Sequence, residues 1–188
     1  MLILTGFLIL VTLLLALFLI VAVAMVLFDL VLELPYVATD RKKIETIIKF
    51  SEIKPGQTVV DLGSGDGRLL IASAKLGAKA VGYELNPFLI LITKIRARLL
   101  SSSRKRGSGF SIGSRMTGKV IVYKSNLWKA DLKVADIIFV YSLRRDIKKF
   151  EDFIFQNAKN GTKIIANTNE FPSKKPIESE NGIFLYKV

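Results

Sequence analysis

Hydrophobic and polar positions divide the chain into one unbroken apolar run and a longer stretch in which short apolar runs alternate with polar turns. Residues Met1 to Phe28 carry no charge, and among them only Thr5, Gly6 and Thr12 interrupt a series rich in Leu, Ile, Val, Ala and Phe. A helix of about 20 such residues crosses a bilayer, so residues 1–32 read as a transmembrane anchor. Ala22-Val23-Ala24 has the small-x-small form of a leader cleavage site. However, no basic region precedes the run, and the run exceeds the roughly 7–15 apolar residues of a leader. A buried core helix rarely continues so far without a polar residue.

After a linker at 33–40, where Pro35 breaks the helical pattern, residues 41–188 form one domain's worth of chain. Arg41 to Ser51 predicts a helix with Ile44, Ile47 and Ile48 on one face and Thr39 or Asp40 as its cap. Strands are expected at Thr58 to Leu62, Lys79 to Glu84, Lys119 to Tyr123, Asp136 to Tyr141, Lys163 to Asn167 and Gly182 to Val188. Helices are expected at Arg68 to Leu76, at Pro87 to about Leu100 with the proline in the first turn, and at Asp146 to Asn157. The Ser-, Gly-, Arg- and Lys-rich stretch 101–118 reads as a basic loop. Strands alternating with helices make this an α/β chain with a largely parallel, Rossmann-like sheet and helices on both faces.

Composition narrows the chemistry. The chain has no Cys and no His, which excludes disulfides, cysteine-based zinc sites and His-based triads, and no metal site is expected. The net charge of +12 lies wholly after the apolar run. Anionic lipid and nucleic acid are the acidic partners such a charge suits. Arg104, Lys105, Arg106, Arg115 and Lys119 would carry a nucleic-acid contact, whereas beside a membrane the same loop would meet anionic lipid. With every Lys and Arg after the span, the positive-inside rule places the domain on the cytoplasmic side, most simply of a prokaryotic inner membrane.

The densest chemical signal is Val59-Val60-Asp61-Leu62-Gly63-Ser64-Gly65-Asp66-Gly67-Arg68, at the passage from a first strand to a helix. Glycines let the backbone turn and a ligand approach, and a helix N-terminus offers N–H groups to a carboxylate or phosphate. The second strand ends at Glu84, an acid placed to accept hydrogen bonds from ribose hydroxyls. Together they predict an adenosine-cofactor site. The glycine spacing is G-x-G-x-G, not the G-x-G-x-x-G of dinucleotide folds.

That loop, with Asp61 before it and Glu84 after it, resembles motif I and the following acid of the class I S-adenosylmethionine-dependent methyltransferases. A narrower resemblance rests on three segments: Pro35-Tyr36-Val37-Ala38-Thr39, Asp61 to Arg68, and Gly82-Tyr83-Glu84-Leu85-Asn86-Pro87. It is to the membrane-anchored lysine methyltransferases of the adenine nucleotide translocase and ATP synthase c-subunit, from which the chain departs at Ala38, where that family has a second proline. The resemblance implies S-adenosylmethionine as cofactor. Asp61, Gly63, Ser64, Gly65 and Gly67 would line its methionine end, Glu84 its ribose, and Asn86, Asn126 and Leu127 its adenosine. Trp128 reads equally as an adenine contact or as a core or interfacial aromatic. Tyr36, Thr39 and Tyr141 would stand on the acceptor side, and Glu84 or Asp131 could pass on a proton. The implied acceptor is a lysine of a membrane protein. RNA, a lipid or small molecule, and cofactor binding without turnover are the alternatives. No Asn-Pro-Pro-Tyr motif follows the fourth strand, which argues against methylation of DNA-base or glutamine amino groups.

Overall fold

In a computed structural model the described residues are 2–31, 39–102 and 118–188. Two compact units separate, Met1–Val37 and Ala38–Val188. The first contains helix α1, Leu2–Val31. Within it Ile3–Ala24 is 22 residues long and apolar enough to cross a membrane, and its apolar stretch is not buried in the protein. The Thr12 hydroxyl donates back to the carbonyl of Ile9 at 2.8 Å. This satisfies a polar group that an apolar surrounding would otherwise strand.

The second unit carries helices α2 (Arg41–Ser51), α3 (Arg68–Lys75), α4 (Pro87–Ser102) and α5 (Ile147–Asn157). Its strands are β1 (Thr58–Leu62), β2 (Lys79–Glu84), β3 (Lys119–Lys124), β4 (Ile137–Tyr141), β5 (Lys163–Asn167), β6 (Glu178–Glu180) and β7 (Ile183–Lys187). Asp40 caps α2, its carboxylate accepting the Lys43 N–H at 2.9 Å. The sheet order is β3-β2-β1-β4-β5-β7-β6. The first five strands in that row are parallel, while β7 runs antiparallel to both β5 and β6.

The strand register explains the layers, because alternate residues face opposite sides. Val59, Ile137, Phe139 and Ile165 face α2 and α3, packing with Ile47, Phe50 and Leu69. Val60, Val81, Ile138, Val140 and Ile164 face the other way, onto Ile147, Phe150 and Ile154 of α5 and onto Leu127 and Leu132. Helices therefore cover both faces, as expected. The strand at 178–180 is not predicted from the sequence. Glu-Ser-Glu has no apolar alternation and all three residues are exposed, so only its pairing with β7 makes it a strand. The basic stretch 101–118 lies, from 103 to 117, outside the described residues.

Candidate active site

The site is built at the carboxyl ends of β1 and β2. Beyond Leu62 the chain turns through Gly63, Gly65 and Gly67, all at positive φ. The amides of Gly63 and Ser64 donate to the Tyr83 carbonyl at 3.0 and 3.1 Å, and that of Gly67 to the Ser64 carbonyl at 3.0 Å. The Gly65 amide donates to the Glu84 carboxylate at 2.9 Å. The loop is thus sewn to the tip of β2. Gly82 permits this close approach, since a Cβ there would lie 2.5 Å from Ser64 Oγ and 2.6 Å from Leu70 Cδ1. Ser64 Oγ is the one buried side-chain polar atom among the described residues that has no hydrogen-bond partner.

Behind the loop stands a charged knot. The buried Asp66 carboxylate accepts from Arg68 Nε at 2.9 Å and Nη2 at 2.7 Å, and from Arg96 Nη1 of α4. Asp66 also accepts the Arg68 amide at the start of α3 at 3.4 Å. The N-terminus of this helix, expected from the sequence to receive a ligand's anionic group, is therefore met by the chain's own carboxylate. With the loop amides also taken up internally, little remains to cradle a pyrophosphate.

Asp61 is 5% exposed. Burial, with the nearby charges of Glu84 and Asp66 adding to it, pushes its pKa up to about 7. The native chain then holds a proton there that the unfolded chain releases near 3.8. Stability from this group falls as pH rises between those values, by about 1.4 kcal/mol per unit where the difference is complete. Asp136 and Glu151 shift the other way, lowered mainly by hydrogen bonds to Lys159 and Thr58, and to Ser173 and Lys148, against their own burial. Their contribution is full above the ordinary carboxylate range and is lost in acid. Unfolding by denaturant at pH 5, 6 and 7 should therefore show stability declining with pH. Asp61→Asn should flatten that decline, and equal slopes in both proteins would refute the assignment.

Glu84 accepts three backbone N–H groups: that of Gly65, and those of Leu85 and Asn86 at 2.8 Å each. Two carboxylate oxygens offer about four acceptor positions, so capacity remains for a ligand hydroxyl. Asn86 is buried and its side-chain oxygen accepts the Phe88 N–H at 2.9 Å, capping α4. Asn126 likewise accepts the Trp128 N–H at 3.0 Å, opening a short 3-10 turn at Leu127–Lys129. The Leu127 side chain belongs to the core. Trp128 packs on α5, with ring centroids 4.6 Å from Phe150 and 5.3 Å from Phe153, and with Lys149 Nζ 4.3 Å over its ring. Of its two readings, the geometry displays the packing one.

Of the residues expected on the acceptor side, Tyr141 ends β4 opposite Asn167 of β5. By register, Asp61, Glu84, Tyr141 and Asn167 all lie on the sheet face that carries α2 and α3. Thr39 joins them: its carbonyl accepts from Arg68 Nη1 at 2.6 Å, and its hydroxyl lies 3.5 Å from Asn167 Nδ2. Tyr36 lies outside the described residues. Asp131 stands toward the opposite face, its N–H bonded to the Tyr83 hydroxyl at 3.2 Å, so Glu84 and Asp131 do not share one side of the sheet.

Sequence reasoning missed the connectors Asp66, Arg68, Arg96, Lys43 and Asn167. It also missed Thr168, a β-branched residue at φ 82, a conformation found mainly where surroundings impose it. Lys43 Nζ donates to Thr168 Oγ1 at 3.1 Å and to Asn167 Oδ1 at 3.2 Å. The run Asn167-Thr168-Asn169 at a strand's carboxyl end was the available signal.

A 3-2-1-4-5-7-6 sheet with a glycine loop at the first strand's tip and a ribose-type acid at the second's defines an S-adenosylmethionine-dependent methyltransferase domain. The residues fit that cofactor: two acids beside a glycine loop suit a ligand that is cationic and carries no phosphate. Within that class the chain belongs to the ANTKMT methyltransferase domain family, matching it over residues 61–178. It is 32% identical over 143 residues to the human lysine N-methyltransferase of the ATP synthase c-subunit, a match covering 76% of this chain and 55% of the human protein. The chain thus spans little more than half that relative's length. A protein-lysine N-methyltransferase of Saccharolobus islandicus is 27% identical over 166 residues, covering 83% of this chain and 94% of that protein. In fold the chain is similar to an RNA methyltransferase from Salinibacter ruber solved with S-adenosyl-L-homocysteine. The TM-score is 0.66 at 22% identity, covering 80% of this chain and 91% of that one.

Proposed function

We propose that the protein is a membrane-anchored methyltransferase that modifies a lysine side chain of a membrane protein, with its catalytic domain on the cytoplasmic side. The observation that carries this reading is the junction at Thr39. Arg68 ties it to the glycine loop and Asn167 ties it to the acceptor-side strand tip. Thr39 therefore stands between the glycine loop and the tip of β5, where a cofactor and an acceptor would be brought together.

The cofactor supplies a methyl group on a sulfonium, and displacement is in line. The chain's own work is alignment and exclusion of water. Glu84 and the glycine loop hold one reactant. Tyr141, Thr39 and, by family resemblance, Tyr36 stand where the other would be admitted. A lysine must lose its proton first, which costs an unperturbed side chain about 4.6 kcal/mol at pH 7. Burial next to positive charge reduces that cost without a dedicated base, which suits a chain that has no His. A cavity of about 810 Å³ opens beside the ends of β4 and β5, lined among others by Arg144, Ile147, Asn169, Phe171 and Lys175.

The test is label transfer. Purified protein and labelled S-adenosylmethionine are added to membranes from cells lacking the protein, and the protein, RNA and lipid fractions are counted separately. Label on lysine in a small membrane protein is the expected result. Label in RNA or lipid, or none despite cofactor binding, would overturn the lysine reading.

A further inference from the structure

The inner face of α4 serves the site already described. Leu89, Ile90 and Thr93 are buried, the Thr93 hydroxyl donates to the Gly65 carbonyl at 3.2 Å, and Arg96 pairs with Asp66. The outer face has a different character. Leu91, Ile95 and Leu99, spaced four residues apart and therefore on one side of the helix, are 55%, 50% and 63% exposed. They are three of the seven large apolar side chains exposed in the described part of the second unit. Lys94 and Arg98 are exposed on the same side, one turn apart, and have no ion-pair partner among the described residues. An apolar stripe bordered by cations is the pattern of a helix lying in the headgroup region of an anionic bilayer.

We propose that the outer face of α4 docks the catalytic domain on anionic lipid, with Leu91 and Ile95 entering the interface and Lys94 and Arg98 meeting lipid phosphates. This rests on the reading that α1 spans the membrane. Eight residues (39 − 31) carry the chain from the end of α1 to Thr39, a tether of at most about 29 Å when fully extended. A domain held that close to lipid meets the bilayer at a local concentration that makes a small amphipathic face sufficient. The charge supports lipid over an apolar protein partner, because net +12 is strongly attracted by an anionic surface. Docking through α4 would hold the glycine loop, which the inner face of the same helix braces, at a set height above the membrane.

The absence of native cysteine makes the test direct. Full-length Leu91→Cys, Ile95→Cys and, as an exposed control, Ile177→Cys carry an environment-sensitive fluorophore. Each is reconstituted into phosphatidylcholine vesicles with or without phosphatidylglycerol, doped with quencher-bearing lipid. The expected result is a blue shift and quenching at 91 and 95 but not at 177, stronger with phosphatidylglycerol and reduced by salt. Lys94→Gln combined with Arg98→Gln should shift the docking equilibrium by about 30-fold, from roughly 1 kcal/mol per cation at such a surface. Cofactor affinity in detergent should stay unchanged, showing that the fold is intact. Labels at 91 and 95 quenched no more than at 177, in a chain that resists alkaline extraction, would overturn the docking while leaving the span standing. Extraction by alkali would instead overturn the span.

Discussion

Glu84→Ala is expected to weaken S-adenosylmethionine binding by about a hundredfold or more, measured by calorimetry on the purified protein. The carboxylate accepts the amides of Gly65, Leu85 and Asn86, and the resemblance implies that it also binds the ribose. Hydrogen bonds to a charged group contribute about 1.5–3 kcal/mol each, so the one ribose bond for which capacity remains accounts for about a tenfold to a hundredfold loss, and the loosened loop for the rest. Removing the carboxylate also leaves three backbone donors without an acceptor and releases the loop from the tip of β2. Glu84→Gln keeps one acceptor oxygen and should fall between the two. An alanine variant that binds as tightly as the native chain would refute the ribose assignment. A variant that binds normally and fails only in transfer would move Glu84 from binding to chemistry.

Gly67→Ala should destabilise the domain by about 2–5 kcal/mol, a large part of the 5–15 kcal/mol typical of a folded domain. Two costs combine. Gly67 has φ +75, where a side chain costs about 1–2 kcal/mol. An added Cβ would also fall 2.4 Å from Thr93 Cγ2 and 2.6 Å from its Oγ1, an overpacking worth about 1–3 kcal/mol. Thr93→Ala removes both of those atoms. The double variant should therefore be more stable than the sum of the single effects by about 1 kcal/mol, within the range measured for residues in contact. Strict additivity in denaturant unfolding would show that the clash is relieved by other means.

The α/β alternation was legible because buried parallel strands are nearly continuous apolar runs. Val59-Val60, Ile137 to Val140 and Ile164-Ile165 stand out against their polar flanks. The glycine loop and Glu84 were legible because few other needs place three alternate glycines at a strand end and an acid at the next. Three assignments were not readable from local sequence. Asn86 and Asn126 carry a cofactor-site signature, yet each also caps a helical turn with its side chain, and a one-dimensional pattern does not separate the two uses. The edge strand at 178–180 has polar residues throughout and exists only through its pairing with β7.

What the sequence by itself determined is the set of parts that depend on local chemistry: an apolar helix long enough to span, the strand and helix order, and a loop whose turns demand glycine. What only the tertiary structure decided is which distant residues meet. Asp66 meets Arg96 across 30 positions, and Thr39 meets Asn167 across 128. The bare Cα of Gly82 is what lets Ser64 pack on β2. The two faces of α4 differ in exposure only because the domain takes up one of them. Such contacts arise from crossover connections that bring the strand tips together. Their partners are selected by packing and by the cost of burying charge unpaired, neither of which leaves a periodic trace along the chain.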